Sequence, residues 1–158
     1  MGIRKTLGSG IAAAALTLVP LVAGCASVVA PAAYAQQAEK QSVVVHLGHF
    51  TDDLHSTFMA LSLATNMQKA GAEVTVFLDR EGVRLADATE RGDLTWGDSG
   101  AVSEAMAGFV AAGGKVMVCP HCAGLAGVSA DKLRPGATIG SAADVAKLML
   151  DADKVIDF

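Results

Sequence analysis

The sequence predicts an α/β domain: five strands in a mostly parallel sheet, with helices on both faces. Three observations lead there. Runs of consecutive β-branched and apolar residues recur along the chain, as in Ser42-Val43-Val44-Val45-His46-Leu47 and Glu73-Val74-Thr75-Val76-Phe77-Leu78. Such runs suit parallel strands buried on both faces, because a strand with one wet face alternates apolar and polar residues instead. Between them lie segments of helical periodicity punctuated by glycine, and strand and helix alternate to the last residue.

The elements follow in order. The first strand, Ser42 to Leu47, runs out through Gly48-His49-Phe50-Thr51, and Asp52 is placed to cap the next helix. That helix carries Leu54, Phe58, Leu61 and Met67, with a second row at Met59 and Leu63, and Gly71 closes it. Glu73 to Leu78 is the second strand, and Asp79 to Asp87 a short helix. Arg91 to Gly100 is a polar, Gly-rich loop with the single tryptophan, Trp96. A helix through Val102, Ala105, Met106, Phe109 and Val110 stops at Gly113-Gly114. The third strand is Lys115 to Cys119. A short helix then reaches Leu125 and ends at Gly127. Ala137-Thr138-Ile139 is a brief fourth strand, Ser141 caps a helix through Val145, Leu148 and Leu150, and Lys154 to Phe158 is the fifth strand.

A leader precedes this domain. Arg4 and Lys5 stand before a long apolar run, and Leu21-Val22-Ala23-Gly24-Cys25 has the form of a lipobox, in which Cys25 receives lipid. Residues 1–24 are therefore expected to be a signal peptide, with cleavage after Ala35 as the alternative. Residues 25–41, rich in Ala, Pro and Gln, form a tether, and the domain covers residues 42–158. Either reading places the folded part in the periplasm or cell envelope, held to a membrane only through a lipid anchor. Without the leader, ten Lys and Arg face sixteen Asp and Glu. That acidic balance argues against nucleic-acid binding, which needs a basic face for phosphate.

Chemistry points to Cys119-Pro120-His121-Cys122. Pro120 is favoured at the first position of a helix, so Cys119 leaves a strand beside the free N–H groups of a helix start, where thiolate is favoured over thiol. Cys122 follows within reach of a disulfide. The turn suits thiol–disulfide exchange, a persulfide, or a soft metal held by Cys119, His121, Cys122 and His49. His49, at the exit of the first strand, is the candidate acid/base; His46, inside the strand, reads as a hydrogen-bonded core histidine, and His55 as solvated. Asp52 and Asp53 serve the helix start. If the first three strands are adjacent, His49, Asp79 and Cys119 meet on one rim, where such sheets gather reactive groups. No G-x-G-x-x-G or G-x-S-x-G occurs, so nucleotide, flavin and serine-hydrolase readings fall away and no cofactor is expected.

Residues 42–158 resemble the DsrE/DsrF-like family of sulfur-relay subunits and peroxiredoxin-like proteins. The likeness rests on the strand running into Gly48-His49-Phe50-Thr51-Asp52-Asp53, on Val76-Phe77-Leu78-Asp79, on Val118-Cys119 followed by Gly127-Val128, and on Ala152-Asp153-Lys154-Val155-Ile156. The resemblance implies a three-layer α/β/α sandwich with a five-stranded sheet, assembly into trimers or hexamers, and a persulfide on Cys119. Its partners would be a sulfur donor or acceptor protein, or a small thiol. Export and Cys122 set this chain apart from the cytoplasmic relay subunits, and Cys122 would act as the resolving thiol. A metal-binding or non-enzymatic assembly module of the envelope is the alternative.

Overall fold

The computed structural model describes residues 40–158. The signal peptide, Cys25, cleavage after Ala35 and most of the tether lie outside the described residues.

Five strands form one sheet: β1 (Ser42–Leu47), β2 (Glu73–Leu78), β3 (Lys115–Val118), β4 (Ala137–Ile139) and β5 (Lys154–Asp157). Their order is β4-β3-β2-β1-β5, and every neighbouring pair is parallel. The connections are α1 (Leu54–Lys69), a 3-10 helix over Arg80–Ala86 followed by α2 (Val102–Ala111), α3 (Pro120–Ala126), and α4 (Ala142–Leu150). The three connections from β1 to β4 step one way across the sheet, and the last steps back past β1 to β5. With right-handed crossovers this puts α4 on the face opposite α1 and α2.

The continuous apolar runs are explained by burial on both sides. Val43, Val45, Leu47, Val74, Val76, Leu78, Val116 and Val118 face a core completed by Phe58, Leu61 and Ala64 of α1 and Met106 and Phe109 of α2. On the other face Val44 and Phe77 are also buried. There α4 is the flanking helix: Asp144 and Leu148 share a groove with Met117 and Thr138. No residue of α4 is buried, and Leu150, placed on its periodic face by sequence, is exposed. Met59 of the second row on α1 is likewise exposed.

Local chemistry sets the ends. Gly71, just beyond α1, takes φ +101°, a conformation open to glycine at little cost. The cap of α1 is Asp53 rather than Asp52: its carboxylate accepts the Ser56 N–H at 3.0 Å and the Ser56 hydroxyl at 2.8 Å. Ser141 caps α4 in a reciprocal box with Asp144, as the sequence predicts. Strand β3 stops at Val118, one residue early, because Cys119 already serves as the N-cap of α3, with Pro120 at its first position.

Two glycines give opposite expectations. A Cβ on Gly114 would collide with the Phe109 ring in the core, whereas one on Gly108, exposed on α2, would meet nothing. Gly114→Ala should lower stability by about 1–3 kcal/mol, the usual cost of overpacking. Gly108→Ala should raise it by about 0.5–1 kcal/mol through helix propensity. Urea denaturation reads both, and equal shifts of one sign would contradict this packing.

Candidate functional site

Because all five strands are parallel, their carboxyl ends share one rim. The N–H of Cys119 donates to the Leu78 carbonyl at 2.8 Å and extends the β2–β3 ladder by one residue. Cys119 therefore stands beside Asp79, the next residue after β2. The Gly48 N–H donates to the Phe158 carbonyl at 3.1 Å and likewise ties the exits of β1 and β5 together. The order β3-β2-β1 meets the condition set by the sequence, so the exits carrying Cys119, Asp79 and Gly48-His49 are neighbours.

Cys119 and Cys122 are both free thiols and both partly buried. Helix α3 packs against the 3-10 helix that begins at Arg80, which brings Cys122 to the backbone of that residue. Burial pushes the Cys122 thiol above its ordinary value of 9.0; the Cys119 sulfur and the Asp79 carboxylate push the same way, against the Arg80 N–H. Cys122 is thus held protonated at neutral pH. Two free thiols three residues apart at a strand-to-helix turn are suited to thiol exchange.

Asp79 is held from two sides through one oxygen. His46 Nε2 lies 3.0 Å and Arg80 Nε 3.1 Å from Asp79 Oδ1. The other ring nitrogen of His46, Nδ1, is 2.6 Å from Asp157 Oδ1. The His46–Asp79 approach satisfies distance but not hydrogen-bond alignment, and Nε2 is buried without an aligned partner. The approach is therefore a close polar contact and not an aligned hydrogen bond. His46 is more than a core histidine. It sits between carboxylates that close β2 and β5, a placement hidden in the sequence because it depends on which strands flank β1. The period of two supplied the only signal: His46 faces the same side as Val44, in register with Phe77 and Asp157.

Arg80 went unnoticed in the sequence. It adopts φ +45°, the one positive φ outside glycine among the described residues. Its guanidinium lies where a Cβ on Gly48 would be, so the glycine at the exit of β1 is needed to seat it. A Cβ on Gly82 would collide with the Leu47 carbonyl, so this glycine lets the 3-10 helix close onto the end of β1. Strain of this kind, at a residue bearing charge beside two cysteines, is characteristic of functional rims.

His49 is placed differently from the cysteines' immediate neighbours. Its Nδ1 lies 2.6 Å from Asp52 Oδ2, and Asp52 Oδ1 accepts the Phe50 N–H at 2.8 Å. The Phe50 N–H first, and then His49, hold the Asp52 carboxyl below its usual value. His121 is exposed on α3. Among the described residues no three His, Cys, Asp or Glu side chains converge as a metal site would require, so Cys119, His121, Cys122 and His49 are not gathered into one set. His55 is stacked under Trp96, ring centroids 4.1 Å apart, which makes Trp96 an anchor of the 91–100 loop on α1.

The family model described as DsrE/DsrF-like matches residues 33–158. Among solved structures, the ychN protein of E. coli superposes with a TM-score of 0.63 at 25% identity, covering 75% of this chain and 99% of that one. MTH1491 of Methanobacterium thermoautotrophicum, a protein of unknown function, superposes with a TM-score of 0.61 at 15% identity, covering 75% of this chain and 100% of that one. No curated protein matches the chain.

The strain at Arg80 is open to test. Arg80→Gly should leave stability within about 0.5 kcal/mol of native, relief of the positive φ being offset by the freer unfolded chain. Arg80→Val, β-branched at the same φ, should lower it by about 1–3 kcal/mol. Equal losses in the two variants, read by urea denaturation, would show that the side chain matters and the backbone conformation does not.

Proposed function

The chain belongs to the DsrE/DsrF-like family, and on that footing we propose that it works in sulfur transfer or the closely related thiol redox chemistry, with Cys119 as the carrier and Cys122 as the resolving thiol. The observation that carries this reading is the pairing of two free, partly buried cysteines on one turn at the carboxyl rim of the sheet. Cys122 is kept as a thiol, chiefly by burial, next to a second free cysteine at the carboxyl rim of a parallel sheet.

The steps follow from that pairing. A persulfide on Cys119 exposes an outer sulfur to an acceptor thiolate. Attack forms the acceptor persulfide, breaks the sulfur–sulfur bond and leaves Cys119 as thiolate. Once Cys122 loses its proton it attacks the inner sulfur of the same persulfide, closing the Cys119–Cys122 disulfide and releasing hydrosulfide. The first step passes sulfur on; the second discards it and stores two oxidising equivalents in the protein. His49 serves as an acid/base at the outer rim, oriented by Asp52. The exchange partner is a protein or small molecule bearing a thiol or persulfide. We place the domain in the cell envelope, exported by the leader and lipid-anchored at Cys25 or cut after Ala35, and assembled with copies of itself.

Intact mass spectrometry of the full chain, purified from its envelope without reductant, tests the proposal. A gain of one sulfur atom, removed by thiol, absent in Cys119→Ala and retained in Cys122→Ser, is expected. An unmodified Cys119 that takes up no sulfur from a persulfide donor would overturn sulfur carriage. In Cys119→Ser, alkylation of Cys122 should stay slow through neutral pH and rise only above 9.0, the ordinary thiol value that burial pushes upward. Fast alkylation of Cys122 near neutrality would contradict its role as the protonated partner.

A further inference from the structure

Arg80 is the charged side chain of the rim whose backbone and seat are both specialised. Its φ of +45° is the one positive value outside glycine among the described residues. Its guanidinium occupies the place that a Cβ on Gly48 would take, so the cation lies against the bare exit of β1. Nε donates to Asp79 Oδ1 at 3.1 Å, and neither η nitrogen makes a hydrogen bond among the described residues. The side chain is 58% exposed. An exposed ion pair between sequence neighbours stabilises less than a positive φ costs at a residue bearing a Cβ. Pairing with Asp79 therefore does not account for Arg80. With Nε taken, the end-on fork of two η nitrogens remains, and that fork is the geometry that grips a carboxylate.

The sheet fixes how far this fork stands from the cysteine turn. The Cys119 N–H donates to the Leu78 carbonyl at 2.8 Å and the Asp79 N–H to the Leu47 carbonyl at 3.3 Å, so the exits of β3, β2 and β1 are level. Neighbouring strands lie about 4.8 Å apart, which puts Gly48 about 10 Å from Cys119 across the rim. A chain covers about 3.5 Å per residue, so one or two residues beyond a cysteine carry a terminal carboxylate over that gap. Asp157, an exposed carboxylate that would repel such a ligand, belongs to β5 and stands on the far side of β1 from the cysteine turn.

We propose that Arg80, seated on Gly48, binds the carboxylate of a small peptide-like thiol or persulfide whose sulfur is presented to Cys119, and so determines which sulfur compounds the rim accepts. The inference rests on the carrier role proposed for Cys119. Glutathione disulfide is a probe of this class. The Cys119 thiolate attacks one of its sulfurs, a new sulfur–sulfur bond forms, the old one breaks, and the electron pair leaves on glutathione thiolate, which takes a proton from solvent. Cys119 is oxidised and the departing glutathione reduced, so no further reagent is consumed.

In the full chain carrying Cys122→Ser, the adduct stays on Cys119, and its growth is followed by the mass of the Cys119 peptide. Two probes are compared: glutathione disulfide and the neutral bis(2-hydroxyethyl) disulfide. The readout is the ratio of their rates, in which any loss of folded protein or of general thiol reactivity cancels. Arg80→Gln in this background should lower the ratio about 10-fold, the scale of one charge-assisted contact at an exposed site. Gly48→Ala keeps the charge but displaces the guanidinium from its seat, and should lower the ratio by a similar factor. An unchanged ratio in Arg80→Gln would overturn the proposal. So would a ratio lowered by Arg80→Gln and untouched by Gly48→Ala, which would reveal a diffuse charge effect without a seat. A Cys119 that forms no adduct with either disulfide would overturn the carrier reading itself, a failure distinct from loss of selectivity.

Discussion

The backbone hydrogen bond from the Cys119 N–H to the Leu78 carbonyl holds the site together. A parallel ladder would ordinarily end with its strands, yet this bond extends it one residue into the turn. It places Cys119 against Asp79 and lets α3 start at once with Pro120. From there α3 leans on the 3-10 helix that begins at Arg80 and brings Cys122 to the same residues. A proline at the first helical position, a free N–H one residue earlier and a strand carbonyl beside it together determine where both sulfurs lie.

Electrostatics then acts on Cys122. Burial opposes the Cys122 thiolate, and the Asp79 carboxylate opposes it further. The Asp79 carboxylate is paired here with Arg80, and His46 lies between it and Asp157. The positive φ of Arg80 and the bare backbone of Gly48 allow that guanidinium to fit. Three strand exits thus contribute to a single polar arrangement beside the cysteine turn.

The fold was legible because parallel strands write their burial directly into the sequence. Val43 to Val45 and Val74 to Leu78 read as two-faced strands and are such strands, and the caps at Gly71, Pro120 and Ser141 stand where their chemistry requires. The rim was legible in part. The Cys119 turn was visible from its residues alone, whereas a shared rim for His49, Asp79 and Cys119 was conditional on β1, β2 and β3 being neighbours, which the strand order supplies. What stayed hidden depended on strand order and on backbone conformation. His46 looked like a core residue because nothing local reveals that β5 returns beside β1 with Asp157 in register. Arg80 carries no mark of a positive φ. Asp52 and Asp53 are equivalent as letters, and only the direction of the chain after Phe50 decides that Asp53 caps α1 while Asp52 turns to His49.

The central claim is that Cys119 and Cys122 form one reactive pair. Equilibrating the full chain with graded glutathione and glutathione disulfide, then trapping free thiols and weighing the protein, tests it most directly. The account predicts a single reversible transition to one intramolecular Cys119–Cys122 disulfide, with the loss of two hydrogens and no change in far-ultraviolet circular dichroism. Two cysteines that remain free across the series, or that bond only to glutathione or to other chains, would contradict it.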